Sequence, residues 1–384
     1  MKVKFFLMAA AAMTLATSCS NDEVVLENNA GNAIAFTAVS ENASRAATAY
    51  CNNALPTDFQ VWANVPNGEG VKTYFSDVKY TKADGATTWT CDINDLRYWP
   101  STGSINFFAT KDAIGTPSFF STLVYADCEQ TTVVADQKDF IYAVAAGATK
   151  PEDNKSTQAL NFRHALSQVV FKAKNTNAHL HVSITGVTVK QVNSKGNFIL
   201  PEQSTVANIV DHTQNSFAPV AAEGFGTWEG QSTLADYGVT FTETPILLDP
   251  TTLTASQDNV AQANAMLLIP QSTTALDPSN REAWANKTGS YFLVYANIWN
   301  VAGDQFNADT DVLLRSAEQP IAIPFAAKWL QGKKYTYTFV FGKGNGGYDP
   351  TTGDDVLVPI DFEITVDDFV KAINSDTNVP MDEM

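Results

Sequence analysis

The chain has 384 residues, with 24 basic and 41 acidic side chains and a formal net charge of −17. An acidic surface repels phosphate, which argues against nucleic acid as a partner, and a hydrophobic content of 45% is that of a globular protein rather than a disordered tail. A chain of this length usually divides into two domains, because single cores stop growing at about 250–300 residues.

The first element is an N-terminal leader. Lys2 and Lys4 precede an apolar run from Phe5 to Ala16, closed by Thr17, Ser18 and Cys19. The run is too short to span a bilayer, and charged and small flanks of this kind mark a secretory signal. Small residues ahead of a cysteine resemble a bacterial lipoprotein signal. On that reading residues 1–18 are removed and Cys19 carries the lipid, palmitate included. An ordinary signal that contains a cysteine, or an uncleaved anchor, are the other readings. The acidic stretch Ser20-Asn21-Asp22-Glu23 follows, and it resembles a tag for display on the outer face of Bacteroides-group cells. No second apolar run reaches spanning length.

Beyond Ala30 the pattern is that of β-structure. Thr, Val, Phe and Tyr are frequent, and short apolar segments are separated by Gly, Asn, Asp and Pro. A strand is predicted from His179 to Val192, with Leu180, Val182 and Ile184 on one face. Gly186 interrupts the alternation and Val187 and Val189 resume it, as a bulge allows. A second runs from Tyr335 to Phe341, with Tyr335, Tyr337, Phe339 and Phe341 on one face and Thr336 and Thr338 opposite. The most regular covers Val356, Val358, Ile360, Phe362, Ile364 and Val366, which alternate with mostly polar residues. Pro359 cannot donate to a ladder, so this strand belongs at an edge. Short helical segments are predicted at Ser279–Lys287 and Asp258–Met266, with a turn around Ala326–Leu330. The fold class is therefore all-β, as two tandem Greek-key β-sandwiches. The polar stretch Gly147–Thr157 reads as the linker, and Lys343–Asp355 as a long turn.

Motifs for chemistry are sparse. There is no Gly-x-Ser-x-Gly, no phosphate-cradling glycine loop and no His-Glu-x-x-His, so no catalytic residue, cofactor or metal is expected. His179 and His181 share a strand face, but two ligands are not a metal site. Asp304, Asp309 and Asp311 lack the spacing of a calcium loop. His164 reads as a hydrogen-bonded structural histidine. Most of the seven tryptophans read as core, and exposed ones are platforms for sugars. Cys51, Cys91 and Cys128 follow Cys19 and can form at most one disulfide among themselves, or none.

Several segments together resemble the fimbrillin family, the type V pilus subunits of Bacteroides-group bacteria. They are Ile34-Ala-Phe36 with Ser44-Arg45-Ala46, Tyr98-Trp99-Pro100 with Asn106-Phe107-Phe108-Ala109, and Asp139-Phe140-Ile141-Tyr142-Ala143. Phe162-Arg163-His164-Ala165, Leu267-Leu-Ile-Pro270-Gln271 and Trp329-Leu-Gln-Gly332-Lys-Lys-Tyr335 complete the order. The resemblance implies two transthyretin-like sandwiches and division of the chain into a leader (1–18), a pro-segment (19–45) and sandwiches over 46–155 and 156–384. It implies an outer-membrane lipoprotein held through Cys19, and an Arg-specific protease that cuts after Arg45. That cut removes the strand bearing Ile34 and Phe36, and the groove is filled by the donor strand of another pilus subunit, in a homo- or heteropolymer. The donor candidate is Val356 to Val366, which equally well completes its own sandwich. An ordinary solvated arginine is the equal alternative reading of Arg45. A tail from Lys371 to Met384 departs from a chain that ends at its donor strand. Such a fimbria adheres to a ligand on a host or bacterial surface. The alternative is a surface lipoprotein that does not polymerise and acts as anchor, tip or glycan-binding module.

Overall fold

The computed structural model describes residues 33–40, 55–151, 157–202, 225–243, 245–246, 251–253, 265–344, 346–356 and 358–368. Cys19, Arg45 and Cys51 and most of the helical segment expected at 258–266 lie outside these residues. The first strands in chain order are β1 (Ala35–Ser40), β2 (Asp58–Asn67), β3 (Gly70–Thr81), β4 (Thr90–Cys91), β5 (Ile105–Lys111), β6 (Thr116–Phe119), β7 (Leu123–Glu129), β8 (Ile141–Ala148) and β9 (Thr157–His164). Then follow β10 (Ser167–Asn175), β11 (Leu180–Ile199), β12 (Thr227–Thr240), β13 (Thr251–Thr252), β14 (Met266–Leu268) and β15 (Gln271–Ser272). The α-helix among the described residues, α1 (Arg281–Asn286), precedes β16 (Tyr291–Asn300), β17 (Val312–Arg315), β18 (Ile321–Pro324), β19 (Lys328–Trp329), β20 (Lys333–Phe341) and β21 (Ile360–Asp368). The fold is all-β.

One sheet runs β1-β9-β8-β5-β2-β3-β4. Period-two alternation gives it two apolar faces. Phe59, Val61, Ala63, Phe107, Ala109 and Ala143 line one of them, with Ile34 and Phe36. Trp62, Phe108, Tyr142 and Val144 line the other, and there they meet Tyr125, Phe140 and Phe198. A second sheet runs β13-β10-β20-β21, with β14 also on β10. A third runs β17-β16-β11-β7-β6, with β12 on β11 and β18 on β16. The second and third sheets enclose the C-terminal core around Phe171, Phe292, Tyr337 and Phe339.

β11 explains how the two halves are joined. Its 20 residues pair with β16 from Leu180 to Lys190 and with β7 from Lys195 to Ile199. One strand therefore serves the C-terminal core at its start and the contact with the N-terminal sheet at its end. The register slips between Ile184 and Gly186, where the interrupted alternation predicts a bulge.

Three expectations change. The polar stretch read as a linker connects β8 to β9, and both belong to the first sheet. β9 begins half-exposed at Thr157 and Gln158 yet buries Leu160 and Phe162, so its polar start looks like a connection. The chain crosses to the second sheet only after His164, at β10. The turn expected at Ala326–Leu330 contains β19, which pairs with β15 and buries Trp329. β20 is buried on both faces, for Thr336, Thr338 and Val340 are as covered as its aromatic residues. The helix expected at Ser279–Lys287 is α1, capped by the Asn280 side chain.

Candidate strand-exchange site

β1 sits between two partners. On one side it runs parallel to β9, from Ala35 opposite Thr157 to Ser40 opposite Phe162. On the other side the Ile34 N–H donates to the Arg97 carbonyl at 2.7 Å. The Phe36 N–H donates to the Trp89 carbonyl at 3.0 Å, and the Trp89 N–H donates back at 2.9 Å. Trp89 directly precedes β4, the far end of the same sheet. β1 thus bridges β9 to the residue that precedes β4 and closes the sheet around its core.

Side chains seat the strand as firmly as its backbone does. Ile34 is 1% exposed and Phe36 0%, while Ala35 between them and Thr37 after them are half-exposed. The Phe36 ring meets Tyr80 at 4.7 Å, Phe107 at 5.2 Å and Phe59 at 6.0 Å, each edge-to-face, the arrangement aromatic quadrupoles favour. Ala38 packs at the rim of the same core. The wall formed by Trp89 is itself fixed, since its indole N–H donates to the Pro56 carbonyl at 3.0 Å and Lys82 lies over its ring. Burial pushes the Tyr80 phenol far up.

The six alternating residues near the C-terminus occupy a different core. Val356, Val358, Ile360, Phe362 and Ile364 are buried in the C-terminal cluster, and Val366 packs at its margin. Phe362 lies 5.9 Å from both Phe292 and Tyr337. β21 pairs antiparallel with β20 from Ile360–Phe341 to Asp368–Lys333 and ends its sheet, as Pro359 predicts. The Pro359 carbonyl still accepts the Gly342 N–H. The structure therefore does not bring the two predicted strands together.

Sequence reasoning missed the partners of β1 on its Trp89 side. Trp89 lies in a Thr-rich stretch with little alternation, and no local pattern signals a bridge across 53 positions. It also missed the seat of β21. Gly344 and Gly346 adopt φ of +89° and +88°, and a Cβ on Gly346 would lie 2.3 Å from the Val356 carbonyl oxygen. The turn legible as Gly-Asn-Gly-Gly is shaped by backbone contact with the incoming strand.

Several of the remaining candidate residues have structural partners. His164 Nδ1 lies 2.9 Å from Asp139 Oδ1, and both side chains are fully buried. His181 stacks on Phe306 with centroids 3.7 Å apart. Asp311 accepts the backbone N–H of Ala302 and of Asn307. Cys91 and Cys128 are both free thiols. Trp62, Trp89, Trp99, Trp284 and Trp329 are buried; Trp228 and Trp299 are half-buried. Among the described residues no group of three or more His, Cys, Asp or Glu side chains could hold a metal ion, and no helix is long and apolar enough to cross a membrane.

The described residues form an all-β body whose first sheet is joined back on itself by β1. The model of the family described as fimbrillin-like matches residues 29–366, so the chain belongs to the fimbrillin-like family and stands among fimbrial subunits. No curated protein matches the chain. Among solved structures, a protein of Bacteroides uniformis named for cell adhesion is 13% identical, with 88% of this chain and 98% of that chain covered and a TM-score of 0.42. Its counterpart from Bacteroides ovatus is 12% identical, with coverages of 88% and 98% and a TM-score of 0.46. The tip fimbrial protein Mfa3 of Porphyromonas gingivalis is 8% identical, with coverages of 86% and 99% and a TM-score of 0.34. At such TM-scores the assignment rests on the family match alone.

Proposed function

We propose that this protein is a structural subunit of a cell-surface fimbria, assembled by strand exchange at the site of β1. It is exported as a lipoprotein through Cys19 and reaches the outer membrane. An Arg-specific protease then cuts after Arg45, in the segment that follows β1. The freed strand leaves, and a strand from another subunit takes its place. The assembled fimbria presents a surface for adhesion to host or bacterial ligands, and the protein has no catalytic role.

The observation that carries this reading is the closure of the first sheet by β1. A strand held by a ladder on one side and by isolated bridges on the other leaves unpaired backbone edges on both sides when it goes. Two buried side chains, Ile34 and Phe36, leave apolar pockets between those edges. An extended segment with alternating apolar residues satisfies both at once, which is the physics of β-augmentation. β21, at the other end of the described chain, has its ladder with β20 and no bridge on its other side among the described residues.

The test is the intact mass of the folded chain from Ser20 onward, taken before and after brief digestion with an Arg-specific protease. The expected result is one cut, after Arg45, followed by slow release of the fragment that carries β1. Persistent resistance at Arg45, or cutting first at Arg97 or Arg315, sinks the proposal.

A further inference from the structure

We infer that the outer face of the third sheet, beside the turn from β16 to β17, is a binding platform for neutral glycans. Trp299 and Phe306 stack on a sugar ring, and Glu243 accepts hydrogen bonds from its hydroxyl groups. This rests on the adhesion reading above and adds the place and the chemical class of the ligand.

The strand register builds the platform. Residues opposite each other on neighbouring antiparallel strands share a face. His181 on β11 stands opposite Trp299 on β16, and Trp299 stands opposite Leu313 on β17. Two positions along on the same face, Ser183 stands opposite Asn297. The residues that alternate with them, Val182, Ala296 and Ile298, are buried in the C-terminal core, so this row lies on the outside. The outer face of such a sheet is ordinarily polar, yet here it carries rings. Phe306, from the segment between β16 and β17, lies flat on His181 with centroids 3.7 Å apart and meets Trp299 at 5.1 Å and 58°. That segment is tied down by Asp311, which accepts the Ala302 N–H at 3.2 Å and the Asn307 N–H at 2.8 Å, one on each oxygen. The two rings therefore meet in a preformed corner, which lowers the cost of ordering on binding.

The polar groups at this corner select the ligand. Trp299 is half-buried, and its indole N–H has no partner among the described residues. Trp228, also half-buried, donates its N–H to the Ala165 carbonyl. Glu243 is exposed. Its Oε1 accepts the Ser183 hydroxyl at 2.7 Å and the Asn297 amide at 3.3 Å, which holds the carboxylate over the row beside Trp299. Its Oε2 has no hydrogen-bond partner among the described residues. The charges of Glu243 and Asp311 both act on His181, so these acids flank the rings from either side. Segments 179–185, 243–246 and 295–313 hold Glu243, Asp304, Asp309 and Asp311 and no Lys or Arg, a field that repels sialylated, sulfated or phosphorylated ligands. A free donor beside a free acceptor suits a ligand that both accepts and donates within one ring. A sugar does so, whereas an ammonium group only donates. The C–H face of a sugar ring, weakly positive, also fits the negative faces of the aromatic rings.

The experiment applies the uncut chain from Ser20 onward to a printed array of neutral, sialylated and sulfated oligosaccharides, with an oligolysine peptide printed beside them. The expected result is retention on neutral oligosaccharides, with the sialylated form of the same core bound at least tenfold more weakly. Trp299→Ala and Glu243→Gln should each lose at least tenfold on the strongest neutral probe, while the urea midpoint of Glu243→Gln stays that of the parent. A chain that binds no neutral glycan overturns the inference, and so does one that binds the sialylated form equally well. Unchanged binding in both variants places the sugar elsewhere and overturns it too, whereas a loss confined to one variant keeps the platform and removes the other residue from it. Capture by oligolysine without any glycan assigns the face to a cationic protein partner and overturns the inference. Should Trp299→Ala fail to fold, Glu243→Gln decides alone, since its side chain is exposed. The array and the cut at Arg45 are read separately. A chain cut there that binds no neutral glycan loses the platform and keeps the assembly reading. A chain resistant there that binds through Trp299 loses the assembly reading and keeps the platform.

Discussion

Phe36 and Trp89 exchange both of their backbone hydrogen bonds, at 3.0 and 2.9 Å, across 53 residues of chain. This reciprocal pair turns an open sheet into a closed one, and it puts the Phe36 ring at the centre of the N-terminal core. One six-residue strand completes the wall, and the chain continues from it toward Arg45.

Replacement of Phe36 by Ala empties the pocket between Phe59, Tyr80 and Phe107. A buried Phe-to-Ala change costs about 3–5 kcal/mol through lost transfer energy and the cavity left behind. Thr37 points the other way and is half-exposed, so Thr37→Ala should stay within about 0.5 kcal/mol of the parent. Urea unfolding of both variants checks the contrast. Equal losses would mean that β1 is held by its backbone alone.

Much of this architecture was legible from alternation. The bulge in β11 follows from the break at Gly186, and the edge position of β21 follows from Pro359. Ile34 and Phe36 stand out as inward residues because they alternate with Ala35 and Thr37. What was not legible is non-local. Nothing near Trp89 indicates a partner at Phe36, and a β-bridge leaves no periodic trace in two flanking residues. The polar start of β9 hid a strand whose burial begins only at Leu160. Thr336 and Thr338 look solvent-facing by composition but are covered. The alternation of Val356 to Val366 says that the strand fills apolar pockets, and it is silent on which core supplies them.

Asp58 should contribute to the acid limb of the stability curve. Burial alone raises its carboxyl, but the hydrogen bond and charge of Lys111, joined by Lys79, outweigh this and hold it below its ordinary value. A depressed folded pKa stabilises above the unfolded value of about 3.9, and that stability is lost as pH falls through the folded pKa. The side chain is 26% exposed, so the contribution is modest, about 0.5–1 kcal/mol. Asp58→Asn should therefore be less stable than the parent at neutral pH and indistinguishable from it at about pH 2. Urea midpoints measured across that range test this, and a gap that widens toward acid contradicts it.

The two described thiols should differ sharply in reactivity. Cys128 is 0% exposed, and burial pushes its thiol up to about 12. The thiolate is the reacting form, so alkylation in the folded state is suppressed by both access and charge. Cys91 is half-buried, with its Sγ on the Asp95 carbonyl. Iodoacetamide at mildly alkaline pH should label Cys91 in the native protein, and Cys128 only after denaturant is added. Peptide mapping reads the order, and native labelling of Cys128 at the rate of Cys91 would show that the contact between the N-terminal sheet and β11 opens readily.

Gly346 offers the most direct measure of how β21 is held. Its φ of +88° lies in the region that favours glycine, and a Cβ would meet the Val356 carbonyl oxygen at 2.3 Å and that of Val358 at 3.1 Å. Gly346→Ala must therefore displace the turn or push back the entry of β21, because backbone on both sides cannot simply rotate away. Strain of this kind costs about 1–3 kcal/mol. Gly303 is the control, since a Cβ there meets nothing within 4 Å, and Gly303→Ala should be nearly neutral. If β21 belongs to the C-terminal core, the Gly346 variant loses stability in chemical denaturation and its C-terminal segment becomes open to proteolysis before the rest of the chain. If the variant instead keeps full stability, the turn and the strand are coupled loosely enough for β21 to leave, and the case for a resident strand is lost.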